Sequence, residues 1–160
     1  MSGEYSSPAC SLGRMEDADL GYAPPQELQE RLNVLLEAEL AGARVCHESA
    51  RGAGGDALAE LLHSLQGDEA RWCGMLAGHI RARGGTPSSK VGDFYQKAMA
   101  VTELPARMAL LNRGQGWVVR QLRELLRRVR DESLRADLQR MLESHEANIA
   151  RVSAFYGAPR

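Results

Sequence analysis

Four stretches of this chain carry apolar residues at alternating spacings of four and three, and each is interrupted near its middle by a polar residue. The first line runs through Leu28, Leu32, Leu35, Glu39, Gly42 and Cys46, and the second through Leu58, Leu62, Leu65, Glu69, Trp72 and Leu76. The third takes Leu104, Met108, Leu111, Gln115, Val118, Leu122, Leu125 and Val129. The fourth takes Leu134, Leu138, Met141, His145, Asn148, Val152 and Phe155, with Leu142, Glu146 and Ile149 on the adjacent line. Such spacing places each apolar set on one face of a helix, and helices of this kind bury their seams against one another at shallow angles. No segment alternates with period two, so the expected fold class is all-α.

The connections set the order of packing. Gly52 to Gly55 and the stretch from Arg130 to Ser133 are short, so each joins two helices into an antiparallel hairpin. Asp56, Thr102 and Asp131 (or Ser133) are the expected N-caps, their side-chain oxygens accepting from free backbone N–H groups. Between the hairpins lies a longer link, Gly84 to Val101, that opens with Gly-Gly-Thr-Pro and holds a short helix around Asp93 to Met99. Two antiparallel hairpins joined by one long crossover give a four-helix bundle over 25–157 that is distinct from an up-down-up-down array. Residues 1–24, rich in Ser, Gly, Ala, Pro and acid, read as a flexible tail.

Composition narrows the function classes. Twenty basic against 21 acidic residues leave a net charge of −1, which disfavours a generally basic nucleic-acid binder. No apolar run has the length of about 20 residues needed to cross a bilayer, and no basic stretch followed by an apolar one marks a secretory leader. Three cysteines, an odd number, fit a reducing cytoplasm better than a disulfide framework. Cys46 and Cys73 fall at different levels of the bundle and read as small buried residues, while Cys10 lies in the tail.

The seam polar residues carry the chemistry. Glu39 and Glu69 are equidistant from their turn to within a few residues, as are Gln115 and His145 or Glu146, so all should meet at one level of the core. Burying ionised carboxylates costs several kcal/mol each unless a metal, shared protons or arginines compensate. Hard oxygen ligands with an imidazole suit iron or manganese. A metal-free, hydrogen-bonded plug that fixes helix register accounts for the same residues equally.

The pattern resembles the ferritin-like superfamily with its di-iron carboxylate members, as a divergent bacterial branch with degenerate motifs. The resemblance spans residues 26–156. It implies metal ligands at Glu39, Glu69 and Glu146, with His145 beside the last. Trp72 and Ile149 stand where the family carries histidines, and Gln115 where it carries a glutamate. Gln115 would orient a bound water or ligand and Trp72 would wall the pocket. The implied function is a metal-binding protein with a redox or oxygen-handling role, whether or not an enzyme. The alternative is a non-catalytic bundle that has lost its metal and serves as a dimerising or partner-binding module.

Other features read as surface. Glu60 and His63, the one literal Glu-x-x-His, lie off the apolar line near His47 and Glu48 and form a solvated face. His79, near the end of the second helix, is expected to interact with the helix C-terminus. Gly114 and Gly116, each costing about 1 kcal/mol in a helix interior, suggest a kink or π-bulge beside Gln115, or close packing against a large side chain. Arginines 113, 120, 123, 127, 128 and 130 form a basic stripe, expected to pair with acidic faces within the chain or across a homodimer.

Overall fold

A computed structural model describes residues 20–157. The described chain forms five helices: α1 Pro25–Arg51, α2 Asp56–Ala82, the short α3 Phe94–Ala100, α4 Leu104–Leu126 and α5 Glu132–Phe155. Among the described residues there is no strand, so the fold is all-α. No helix of this set is long and apolar enough to cross a membrane.

Pro25 opens α1 at a position where its fixed φ suits a helix and its missing N–H is no loss. The other end of the first hairpin is set by Gly84, whose φ of +77° is readily open to glycine alone. Asp131 caps α5 as expected, its Oδ1 accepting from the Leu134 N–H at 2.7 Å. The other two expected caps are displaced. Gly55 occupies the N-cap of α2 with Asp56 inside the first turn, and Glu103 rather than Thr102 precedes α4, neither with a side-chain cap bond. The third seam's last residue, Val129, lies beyond α4 yet is 1% exposed. Phe155, last on the fourth seam, is 42% exposed.

Cross-helix bonds fix the directions. Gln29 Nε2 donates to the Arg83 carbonyl and Gln66 Nε2 meets His47 Nδ1, so α1 and α2 run antiparallel. Asn112 Nδ2 donates to the Ile149 carbonyl and Arg123 pairs with Glu146, so α4 and α5 do too. Arg31 to Glu124 and Arg107 to Ser49 set α4 antiparallel to α1, and Trp72 to Ser144 and Asn148 to Asp68 do the same for α5 and α2.

The link from α2 to α4 therefore has to travel the length of α1. Asn33 holds it at both the Thr86 carbonyl and the Ser88 N–H, and Ser88 Oγ donates to Glu37 Oε1 at 2.6 Å. This lays Val91–Phe94 beside the middle of α1. Of the tail expected over residues 1–24, residues 1–19 lie outside the described part. Ala23 is buried and its N–H donates to the Arg128 carbonyl, which ties that end to the helices.

The core is divided. One apolar cluster gathers Leu32, Leu35, Trp72, Leu76, Leu122 and Leu138 with their neighbours. The other gathers Val45, Leu62, Leu65, Met108, Leu111 and Val152 with theirs. Each fully buried leucine of this set contributes roughly 1.5–3 kcal/mol. Between the two clusters every long helix places a buried polar side chain, Glu39, Glu69, Gln115 and His145, with Asn148 one turn beyond His145 on α5.

Candidate metal centre

Each of these four side chains comes from the middle of a different long helix, which is why their backbones are rigid and their positions definite. Glu39, Glu69 and His145 each offer one ligating atom, all within 4.8 Å of one another. Among the described residues no other group of three His, Cys, Asp or Glu converges in this way.

The cluster is short of partners. Glu39 Oε1 and Oε2, Gln115 Oε1, and His145 Nδ1 and Nε2 are buried without a hydrogen-bond partner among the described residues, apart from the bond that Glu39 and Glu69 share when one of the two carboxyls is protonated. His145 Nε2 comes within 3.0 Å of Glu39 Oε1, but the approach lacks hydrogen-bonding geometry. Gln115 spends its amide nitrogen on Asn112 Oδ1, leaving the carbonyl oxygen free. An unpaired buried polar group costs about 1–3 kcal/mol, so several at one point call for a common partner.

Burial dominates the proton affinities. It raises the Glu39 carboxyl to about 7. It raises Glu69 well above the carboxylate range, with the charge of Glu39 adding to the effect. Burial lowers His145, against the pull of Glu69 and Asp68, which favours a neutral imidazole whose ring keeps a free lone pair.

Gly42 makes the space for Glu69. A Cβ at position 42 would stand 2.8 Å from Glu69 Oε2. The signal available in the sequence is the place of Gly42 on the first seam, three residues after Glu39. The glycines beside Gln115 divide. A Cβ at Gly114 would meet Phe94 Cζ at 2.9 Å, whereas Gly116 has only Arg120 Nη1 near, at 3.7 Å. Helix α4 is continuous through both, so close packing against an aromatic ring replaces the expected kink or π-bulge.

Two expected site residues lie elsewhere. Glu146 is 46% exposed and pairs with Arg123 at 3.0 Å, so it does not join the cluster. Its neighbour His145 takes the inward position, about 100° away around the helix. Trp72 is buried in the apolar cluster, donating from Nε1 to Ser144 Oγ at 3.2 Å, with Arg71 over its ring. It does not wall the pocket beside the cluster; Trp117 does. Ile149 packs against the same apolar cluster as Trp72.

The remaining readings settle on the surface. His47 and His63 are exposed, in keeping with a solvated face. His79 lies in the last turn of α2 and meets Asp137 of α5 at 2.7 Å, with Arg83 behind it. Within the basic stripe, Arg128 pairs with Glu27 and Arg123 with Glu146, both inside the chain. Cys46 and Cys73 are free thiols, and burial pushes Cys73 up to about 12.

A pocket of about 470 Å³ leads from the surface between α1, the link and α4 to Glu39, Glu69, Gln115 and His145. The walls of this pocket were not legible in the sequence, because the outer one is Val91–Phe94 on the crossover. No curated protein and no solved structure matches this chain. A family model matches residues 26–154, all four long helices nearly end to end, and the chain belongs to that family, described as Domain of unknown function (DUF6306).

Proposed function

We propose that this protein is a ferritin-like four-helix bundle whose buried Glu39, Glu69 and His145 hold one metal ion, with Gln115 orienting a further ligand. The observation that carries this reading is the convergence of three ligating side chains within 4.8 Å, amid five buried polar atoms that lack partners. Two carboxylates and a neutral imidazole suit iron or manganese. Two carboxylates and one imidazole, with Trp72 and Ile149 at the histidine positions of the ferritin-like pattern, favour one ion over two. The antiparallel hairpins and the long crossover support the ferritin-like arrangement. A bound ion of this kind supplies Lewis acidity or one-electron chemistry at its open positions. The protein's own part is to hold the donors rigidly, exclude bulk water and leave one side facing the pocket.

A second reading has its own support. The raised carboxyls and the 3.0 Å approach of His145 to Glu39 suit a neutral, metal-free plug in a non-catalytic module. Elemental analysis after growth with iron, manganese and zinc, and purification without chelators, separates the two. The metal centre predicts about one equivalent per chain, lost in Glu69→Gln while the helical spectrum is kept. Added metal should also raise the unfolding midpoint of the native protein and leave that of Glu69→Gln unmoved. Less than about a tenth of an equivalent, unchanged by reconstitution, would establish the plug.

A further inference from the structure

The pocket beside the cluster has two unlike ends. Its walls are Val34, Ala38, Val91, Phe94, Leu111 and Trp117, and its inner end is Glu39, Gln115 and His145 with Glu69. Charged groups other than these stand toward the rim, where Asp93 and Arg113 are exposed and Glu37 is occupied by Ser88. One cation against two anions there gives no strong preference for a charged ligand. The volume of about 470 Å³ lies within the range of roughly 300–1,000 Å³ typical of small-molecule sites, which are mostly apolar with a few convergent polar groups.

The inner end specifies more than size. Gln115 is 3% exposed, and its unpartnered Oε1 is a carbonyl oxygen, which can only accept. Both unpartnered oxygens of Glu39 accept when ionised. A ligand that filled the walls with hydrocarbon alone would leave these acceptors unpaired. One that ends in a hydroxyl or amine would satisfy them, or present its heteroatom to a metal held there.

We propose that this pocket binds an uncharged, largely apolar small molecule, of the bulk of one or two rings, with a single hydroxyl or amine directed at Gln115 and Glu39. This names a ligand class for the same site as the proposed metal centre and rests in part on that reading, so the test keeps the two apart. Phe94 shapes the site, because Gly114 lets its ring settle against α4 and close the outer wall.

The experiment is an amide-shift titration of the isotopically labelled full chain, stripped of metal, with 2-naphthol and with naphthalene. Saturable shifts at Gly92, Gly114 and Gln115 are expected, with 2-naphthol binding about tenfold tighter than naphthalene, the worth of one or two hydrogen bonds. Gln115→Leu should remove that preference while naphthalene still binds. Ala38→Trp should weaken both by at least about tenfold by filling the wall. If that variant does not fold, Val91→Trp on the facing wall makes the same test. No saturable shift with either probe, or binding indifferent to both wall variants, overturns the pocket. Equal binding of the two probes overturns the polar inner end. Elemental analysis decides the metal separately: bound metal without probe binding leaves the metal centre and removes this inference, and probe binding without metal does the reverse.

Discussion

A glycine on a buried helix seam usually weakens a helix by about 1 kcal/mol relative to alanine, so Gly42 invites a reason. The reason is Glu69, whose Oε2 lies 2.8 Å from where a Cβ would stand. Gly42→Ala thus sets two effects against each other. Helix propensity favours alanine, and the carboxyl end of a flexible side chain can swing aside at modest cost. Stability should therefore move by less than about 1 kcal/mol in urea unfolding. Metal affinity should fall by about tenfold or more, because the displaced carboxyl leaves its place opposite Glu39 and His145. Unchanged metal affinity would mean that Glu69 is not held where it matters. At position 145 the same scale explains why the sequence offered two candidates. His145 and Glu146 are adjacent, and apolar residues run along both of their lines, Met141 and Val152 on one, Leu142 and Ile149 on the other. Either phase gives α5 a usable seam. The neighbours decide: Arg123 on α4 draws Glu146 outward, and the gap between Glu39 and Glu69 admits the imidazole.

Between elements, the short α3 docks with Ala98 fully buried and Tyr95 against the second apolar cluster, and it meets α4 through the ring of Phe94. Phe94 Cζ and Cε2 lie 2.9 and 3.0 Å from the position of a Cβ on Gly114, and a ring cannot yield as a carboxyl can. Gly114→Ala should therefore destabilise the native protein by about 1–3 kcal/mol despite its propensity gain. In a Phe94→Leu background the clash is gone, and the same change should stabilise by up to about 1 kcal/mol. A double-mutant cycle by urea unfolding measures that change of sign, and simple additivity would detach α3 from α4. This is also the scale at which the sequence was most and least informative. The long helices and both hairpins were legible because a 3.6-residue period sustained over six turns has one interpretation. Cap positions slipped by a residue, since Asp56 serves the first turn of α2 nearly as well from inside the helix as from the cap. The pocket was illegible because Val91–Phe94 has no period of its own. Its path depends on Asn33 and Glu37 catching Thr86 and Ser88, contacts between residues more than 50 apart in sequence.

In the whole molecule, a polar layer separates two apolar clusters, so its protonation bears on the stability of the entire fold. In the metal-free protein the Glu39 carboxyl is raised from 4.5 to about 7, and Glu69 is raised as well. The folded chain then keeps protons that the unfolded chain has released. That contribution is complete below the unfolded value near 4.5 and is lost as pH rises through 7 and beyond. His145 is depressed below 6.5, so its contribution is present above that value and is lost as pH falls. Between about pH 4.5 and 6.5 two raised carboxyls oppose one lowered imidazole, so the carboxyls set the sign. The cluster's contribution to the stability of the metal-free protein therefore falls as pH rises. Glu69→Gln removes one carboxyl and should flatten that share of the curve, so the difference between the two proteins isolates the layer from surface groups. A bound metal reverses the sign, because it takes ionised carboxylates and a neutral imidazole and binds more tightly as protons leave. Urea unfolding from pH 5 to 8, with and without manganese, should give a falling curve for the metal-free protein and a rising one for the loaded protein. Coincident curves would mean that the layer serves the fold alone, with the carboxyls sharing their protons rather than an ion.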